Sequence, residues 1–374
     1  MMATALLSPD AAPSAMIETR TLKGALRILA GARDRGTFLP LQQIRVTAAP
    51  NGLALTAQTL QTVIRVVVPA DAADGLDMLL PWDTALNVAR LPGRVTLADG
   101  VASGAAVLRW AGLALRDWPT APTIHADAAL AAPVAATVDA AQLAADLRVL
   151  AVTAARDQSR PILRGIQVDE AGPEGTLLVS TDGTRLARVP LGLTALPGHV
   201  AAIEAVDALA AALGTRPTGG VTWQVADGWD AWTWGPVTVA GESLTGKYPD
   251  YRRVLPDTYP VAVTMDRDAW MAALKPLVAL ARQDRAGSIA VQWGADGLTL
   301  RADAMDVGTA QTVIPGTGGP SAPVGASFDP RMLADVPKGF GPGPITFAWS
   351  GREAPAAATQ SGRLHIVLPL RQMA

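Results

Sequence analysis

The chain contains no cysteine among its 374 residues. That excludes a disulfide scaffold, a thiolate metal site and a cysteine nucleophile, and it fits a reducing cytoplasm. Only three histidines are present, His125, His199 and His365, too scattered for a local ligand cluster or a proton relay. Aromatic residues are sparse apart from ten Trp. No run approaches about 18 uninterrupted apolar residues, so no membrane-spanning helix is expected. Residues 1–15 lack the charged and apolar regions of a signal peptide and read as a disordered extension ahead of Met16. P-loop, dinucleotide and nucleophile-elbow signatures are missing, and Gly341-Pro342-Gly343-Pro344 reads as a turn rather than a phosphate cradle. The enzyme reading, a hydrolase built on scattered carboxylates, therefore has no local signature behind it, and no cofactor or metal is implied. A net charge of −2 argues against a generally basic nucleic-acid binder, while allowing positive charge to be gathered on one surface.

What the chain does have is repetition. With 49% hydrophobic and 17% charged residues it has material for a large core. A helical stripe of Leu22, Leu26 and Leu29 recurs as Leu143, Leu147 and Leu150, and again as Trp270, Leu274 and Leu277. Each stripe runs into a short charged segment, then an alternating strand, a Gly-bearing turn and a second strand. The strand anchors Leu53, Leu177 and Leu298 lie roughly 120 residues apart, a unit large enough to close its own core and too long for a solenoid repeat.

The expectation is three tandem α+β domains, 16–126, 134–255 and 260–374, each with helix, strands, helix and strands in that order. First helices are expected at Thr19–Arg33, Ala140–Ala154 and Arg267–Ala281. Second helices are expected at Trp82–Leu91, Ala205–Leu213 and Pro330–Val336. The stretches around Pro119–Pro133 and Pro256–Val263 read as linkers.

Basic residues recur on or just beyond the three first helices: Lys23, Arg27, Arg33 and Arg35; Arg148, Arg156 and Arg160; Lys275, Arg282 and Arg285. Lys23 and Arg27, four apart, share a helix face beside the apolar stripe. Singly, such charges are ordinary surface residues. In three copies they imply one surface of cations able to meet phosphates without reading bases.

Three segments carry a sharper signal: Leu163-Arg164-Gly165; Ser180-Thr181-Asp182-Gly183-Thr184-Arg185-Leu186-Ala187; and Gly246-Lys247-Tyr248-Pro249-Asp250-Tyr251-Arg252-Arg253-Val254-Leu255-Pro256. With the closing Ile366-Val367-Leu368-Pro369-Leu370-Arg371, they make the chain resemble the bacterial sliding clamp, the processivity subunit of DNA polymerase III. The likeness is weakest in the first repeat, where Arg35-Gly36-Thr37-Phe38-Leu39-Pro40 is shifted from the family pattern. Thr184 stands where the family often has His or Tyr.

The resemblance implies a ring of two chains joined head to tail, with helices lining a hole and antiparallel sheets outside. Duplex DNA would thread the hole against the ten basic residues named above. It also implies a pocket for short linear peptides from the polymerase III alpha subunit, the clamp loader, other polymerases and repair proteins. Carried over, its wall is Leu163, Thr181, Gly183, Arg185, Leu186, Pro249, Arg253, Val254, Ile366, Val367, Leu368, Pro369, Leu370 and Arg371. Ring closure is assigned to Leu113 and Leu115 of the first domain against Ala279 and Leu280 of the third. The protein would be a cytoplasmic processivity factor with no reaction of its own. A rival keeps the fold but makes it a partner-docking module that does not encircle DNA.

Overall fold

A computed structural model describes residues 13–33, 36, 39–104, 107–109, 121–170, 175–192, 196–285, 287–351 and 354–370. The first repeat runs β1 (Ser14–Glu18), α1 (Thr19–Leu29), β2 (Gln43–Ala49), β3 (Gly52–Gln58), β4 (Thr62–Val68), β5 (Asp71–Ala72), β6 (Asp77–Pro81), α2 (Trp82–Val88), β7 (Arg94–Ala98), β8 (Val101–Ser103) and β9 (Val107–Arg109). A helix α3 (Ala121–Ala131) precedes the second repeat. That repeat runs β10 (Ala136–Asp139), α4 (Ala140–Thr153), β11 (Gly165–Asp169), β12 (Leu177–Thr181), β13 (Arg185–Pro190), β14 (His199–Ala202), α5 (Ile203–Leu213), β15 (Gly220–Ala226), β16 (Trp229–Trp234) and β17 (Val237–Glu242). The third runs β18 (Val261–Asp266), α6 (Arg267–Ala281), β19 (Ile289–Gly294), β20 (Gly297–Ala304), β21 (Gly308–Thr317), β22 (Val324–Phe328), α7 (Pro330–Asp335), β23 (Pro344–Trp349), β24 (Ala356–Gln360) and β25 (Arg363–Val367). Apart from β5 and α3, the order is the same three times over.

The first helices form where the stripes place them. Leu22, Leu26 and Leu29 are buried on α1, Leu143, Leu147 and Leu150 on α4, and Trp270, Leu274 and Leu277 on α6. The start of α6 is capped by Asp266, whose carboxylate accepts from the Ala269 amide at 2.8 Å. Asp329 caps α7 in the same way, from Arg331 and Met332, with Pro330 in the first turn. Pro276 lies inside α6 on its exposed side, where the missing backbone bond can be replaced by water.

The chain divides into two compact units. One holds the stretch ending at Ala140 together with Glu204–Ser243; the other holds Ala141–Ile203 and the chain from Leu244 on. In the first unit an eight-stranded antiparallel sheet runs β10-β15-β16-β17-β4-β3-β2-β6, beside a five-stranded sheet β5-β1-β7-β8-β9. In the second a twelve-stranded sheet runs β14-β11-β12-β13-β25-β24-β23-β18-β21-β20-β19-β22. The strands of the second repeat are thus shared between the units: β15–β17 extend the first-repeat sheet through β4, and β11–β13 join the third-repeat sheet through β25.

The large core of the second unit gathers Trp270, Leu274 and Leu277 with Trp293, Phe328, Phe347 and Trp349. Trp293 and Trp349 stack at 5.2 Å. A smaller cluster on the other side of the β13·β25 junction holds Leu177, Val179, Leu186, Tyr251, Ala357, Leu364 and Ile366.

The expected linker around Pro119–Pro133 differs from expectation, because α3 occupies most of it. Its buried residues are Pro122, Ala126 and Ala129, with Leu130 packed half-buried beside them, which leaves no stripe of large apolar residues to read. The second helix of the first repeat stops at Val88, three residues short of the expected Leu91.

Candidate functional site

The turn between β12 and β13 is held by its own side chains. The Asp182 carboxylate accepts from the Thr184 amide (2.9 Å), the Thr184 hydroxyl (2.6 Å) and the Arg185 amide (3.1 Å). The Thr181 hydroxyl donates to the Arg185 carbonyl at 2.7 Å and accepts from the Gly183 amide at 3.0 Å. Gly183 sits at φ +90°, a conformation that suits glycine. The Arg160 guanidinium lies against Gly183 and donates to the Asp182 carbonyl at 2.5 Å. The Tyr248 hydroxyl accepts from the Thr181 amide at 3.1 Å, and burial pushes its phenol well above the ordinary range.

Strand alternation sorts the expected pocket wall into two faces. Leu186 stands opposite Ile366, and both belong to the small cluster with Tyr251. Arg185 stands opposite Val367, one residue along each strand, so these two point to the other face. Val367 is fully buried in the large core. Arg185 is a brace: its Nε donates to Asp182 and a terminal nitrogen donates to Asp335 on α7, both at 2.8 Å. Lys338 donates to the second oxygen of Asp335 at 2.8 Å.

Leu163 is buried with Ala155, Val200 and Tyr248. Beyond β25 the chain continues along the turn, the Leu368 amide donating to the Thr184 carbonyl at 3.2 Å and the Leu370 amide to Ser327 at 2.7 Å. Here large apolar side chains face solvent: Leu368 and Leu370 are each 40% exposed, and Val254 is 54% exposed. Pro249 is exposed and Pro369 half-buried. Arg253 is exposed and its guanidinium makes a solvent-facing pair with Asp250. Arg371 lies outside the described residues. The result is an apolar surface bordered by a rigid turn and cationic side chains, which suits a short apolar segment carrying a carboxylate.

Charge at the turn follows from these contacts. Burial opposes the ionised form of Asp182, but the hydrogen bonds from Thr184 and Arg185 outweigh it and hold the carboxyl below its ordinary value. At Asp335, Lys338 and Arg185 have the same net effect against burial. Behind the turn, on the face of β25 shared with Arg363 and Val367, His365 is completely buried and neither ring nitrogen has a hydrogen-bond partner among the described residues. Burial first, then the nearby Arg185, pushes its pKa down to about 3. Arg363 donates to the fully buried Asp146 of α4 at 2.5 Å.

The basic residues of the first helices fall into two groups. Lys23 and Arg27 on α1, Arg148 on α4, Lys275 on α6, and Arg282 and Arg285 beyond it are exposed. The others are engaged. Arg33 pairs with Asp83 at 3.0 Å and lies over the Trp82 ring. Arg156 is exposed and donates to the Ala151 carbonyl at 2.9 Å. Arg160 is the lining candidate that the structure brings to the pocket turn instead. Arg35 lies outside the described residues.

Of the ring-closure residues, Ala279 is exposed and Leu280 packs half-buried against the large core, while Leu113 and Leu115 lie outside the described residues. Sequence reasoning passed over Tyr248 and Tyr251, which pack against Leu163 and Leu186, although they stand inside the quoted motifs. It also passed over Asp335, which no motif marks. Among the described residues, no three His, Asp or Glu side chains come together to hold a metal ion, and no helix is long and apolar enough to cross a membrane.

No protein-family model matches the chain. A beta sliding clamp of Synechococcus elongatus is 25% identical over 355 residues, covering 91% of this chain and 90% of that protein. The DNA polymerase sliding clamp of Bacillus subtilis superposes with a TM-score of 0.84 at 18% identity, over 97% of this chain and 100% of that one. A sliding clamp of Bartonella birtlesii, solved bound to griselimycin, gives 0.81 at 20% identity, over 96% and 100%. The chain has the three-domain fold of the bacterial DNA polymerase III sliding clamps, and its sequence resembles beta sliding clamps along nearly its whole length.

Proposed function

We propose that the chain is a DNA sliding clamp: two copies close head to tail into a ring that encircles duplex DNA and tethers a polymerase during processive synthesis. The observation that carries this reading is a junction made twice and left open once. The third strand of the first repeat's hairpin sheet, β4, pairs with the last strand of the second repeat, β17. The matching strand of the second repeat, β13, pairs with the last strand of the third, β25. By the same rule β21 should pair with β9. Among the described residues, β9 instead pairs with β8 alone, and β21 pairs with β20 along Gly308–Pro315 and with β18 at Gly316 and Thr317.

Unpaired strand edges seek partners. A second copy supplies both: β21 of one chain meets β9 of the other, twice, and the ring closes. Exposed apolar residues gather at this edge, with Met305 91%, Val307 64% and Val313 52% exposed. Asp284, just beyond α6, accepts from the Met305 amide at 3.0 Å, which ties the Leu280 end of that helix to the same turn.

Three domains, 16–126, 134–255 and 260–374, would then present α1, α4 and α6 of each chain to the DNA. Lys23, Arg27, Arg148, Lys275, Arg282 and Arg285 would meet phosphates only. Such contacts carry no sequence register, so the duplex slides while topology retains it. The pocket beside Leu186 and Ile366 would dock apolar peptides of the polymerase III alpha subunit, the clamp loader and repair proteins. Its work is tethering in the cytoplasm, without catalysis.

Light scattering behind a sizing column tests ring formation. A particle of twice the 38.6 kDa chain mass that persists on dilution is expected. A monomer at every concentration would overturn encirclement and leave a docking module.

A further inference from the structure

The two closed junctions are built on the same ladder row. In the second unit Leu186 stands opposite Ile366, and Ile366 opposite Ala357. In the first, Val63 stands opposite Ala240, and Ala240 opposite Ala231. The hairpin turns also match: Thr181 faces Leu186 across five residues of chain, and Gln58 faces Val63 across the same span. Gln58 thus occupies the place of the pocket residue Thr181, and Leu60, 64% exposed, the place of Gly183.

What covers the two rows differs. Over the Leu186 row lies Tyr251, with Val254, Leu368 and Leu370 left facing solvent. Over the Val63 row lies α3, whose Ala126 and Ala129, with Leu130 half-buried beside them, pack with Val63, Trp229, Ala231 and Ala240. The residues beneath are smaller than their counterparts, Val63 for Leu186 and Ala240 for Ile366, and a helix backbone fits the room this leaves.

The hold on α3 is largely polar. Thr123 donates to Gln58 at 2.7 Å, Asp127 pairs with Arg65 at 3.0 Å, and the Gln224 amide reaches the Leu130 and Ala132 carbonyls. His125 stacks on Trp229 at 5.8 Å. Beyond Pro122 and the half-buried Leu130 the helix buries only alanines, which bury little apolar area, and Ile124 remains 61% exposed, so the helix has the contacts of a locally displaceable element.

We propose that α3 is a resident plug that fills, in cis, a second groove for the same class of ligand as the pocket: a short apolar peptide with a carboxylate. Each chain then presents one open pocket where its repeats provide two. This rests on the pocket reading of the Leu186 junction.

Calorimetry on the full chain with a synthetic Leu-Asp-Leu-Phe peptide separates the two ideas. The peptide matches apolar side chains to the groove and one acid to the cations beside it. The wild type is expected to bind one peptide per chain, and Leu368→Asp none. A variant with residues 121–131 replaced by a Gly-Ser segment of equal length should bind two, and the same variant with Leu368→Asp one. No binding by the wild type would sink the pocket reading. One site in a variant that melts like the wild type would overturn the plug.

If the replacement does not fold, Thr123→Ala with Asp127→Ala removes the bonds to Gln58 and Arg65 and keeps the alanine face. Saturating peptide should then raise amide exchange across 121–131 at least tenfold in that variant, and unchanged exchange would overturn the plug equally.

Discussion

At the scale of single residues, Asp182 and His365 do opposite things around one turn. Asp182 is held ionised by Thr184 and Arg185, so its folded value lies below the unfolded one. Such a group stabilises the fold above the ordinary carboxylate value, about 3.9, and that contribution is lost as pH falls through the folded value. Peptide affinity should therefore be level near neutrality and collapse in acid below about pH 4, where the turn loses its anion. Asp182→Asn should weaken the peptide about tenfold at neutral pH, by removing one acceptor oxygen from a turn that uses both. An unchanged isotherm would contradict the brace.

His365 is buried neutral with no hydrogen-bond partner among the described residues, and its pKa is pushed down to about 3. Its contribution is fully present above the unfolded value of about 6.5 and is lost as pH falls from there toward the folded value. Replacing it by an apolar residue of similar size removes two unsatisfied polar atoms. His365→Leu should raise the unfolding free energy by about 1–3 kcal/mol and flatten its fall between pH 6 and 4, as read by denaturant melts. A loss of stability instead would mean that the ring nitrogens are satisfied in solution.

At the scale of elements, the strand edges make the sharpest predictions. Val307→Asp with Val313→Asp places one charge in the turn before β21 and one on the strand, where they should yield folded monomers in sedimentation. Dimers that survive the change would move closure elsewhere, toward the Ala279 and Leu280 end of α6. Removing residues 368–374 should abolish peptide binding and leave the melting transition in place, since β25 ends at Val367.

The sequence carries the helices because their stripes are strong: the leucines of α1 and α4 and the Trp270 stripe of α6 are the buried ones. It does not carry α3, where alanine gives no periodicity, nor the direction of a long side chain. Arg160 reads like its cationic neighbours, yet its guanidinium rests on the Asp182 carbonyl. Arg185 reads as pocket wall, yet alternation along β13 turns it to Asp335. Motifs locate the turn; only the pairing of β13 with β25 divides its residues between the small cluster under Tyr251 and the opposite face that holds Arg185, His365 and Val367.

At the scale of the whole molecule, a chain of net charge −2 is proposed to hold a polyanion. The two fit if the cations are few, exposed and on the lining helices, and if retention comes from closure rather than affinity. Replacing Lys23, Arg27, Arg148 and Lys275 by Ala should leave the dimer intact. It should weaken binding to duplex DNA at low salt by at least tenfold and flatten its salt dependence, because fewer counterions are released.

The most direct test lets the protein thread onto a linear duplex, blocks both ends with a bulky protein, and washes with concentrated salt. The clamp reading predicts that the protein stays on blocked DNA and runs off unblocked DNA under the same wash. Equal loss from both would show that charge alone holds it, and would contradict encirclement.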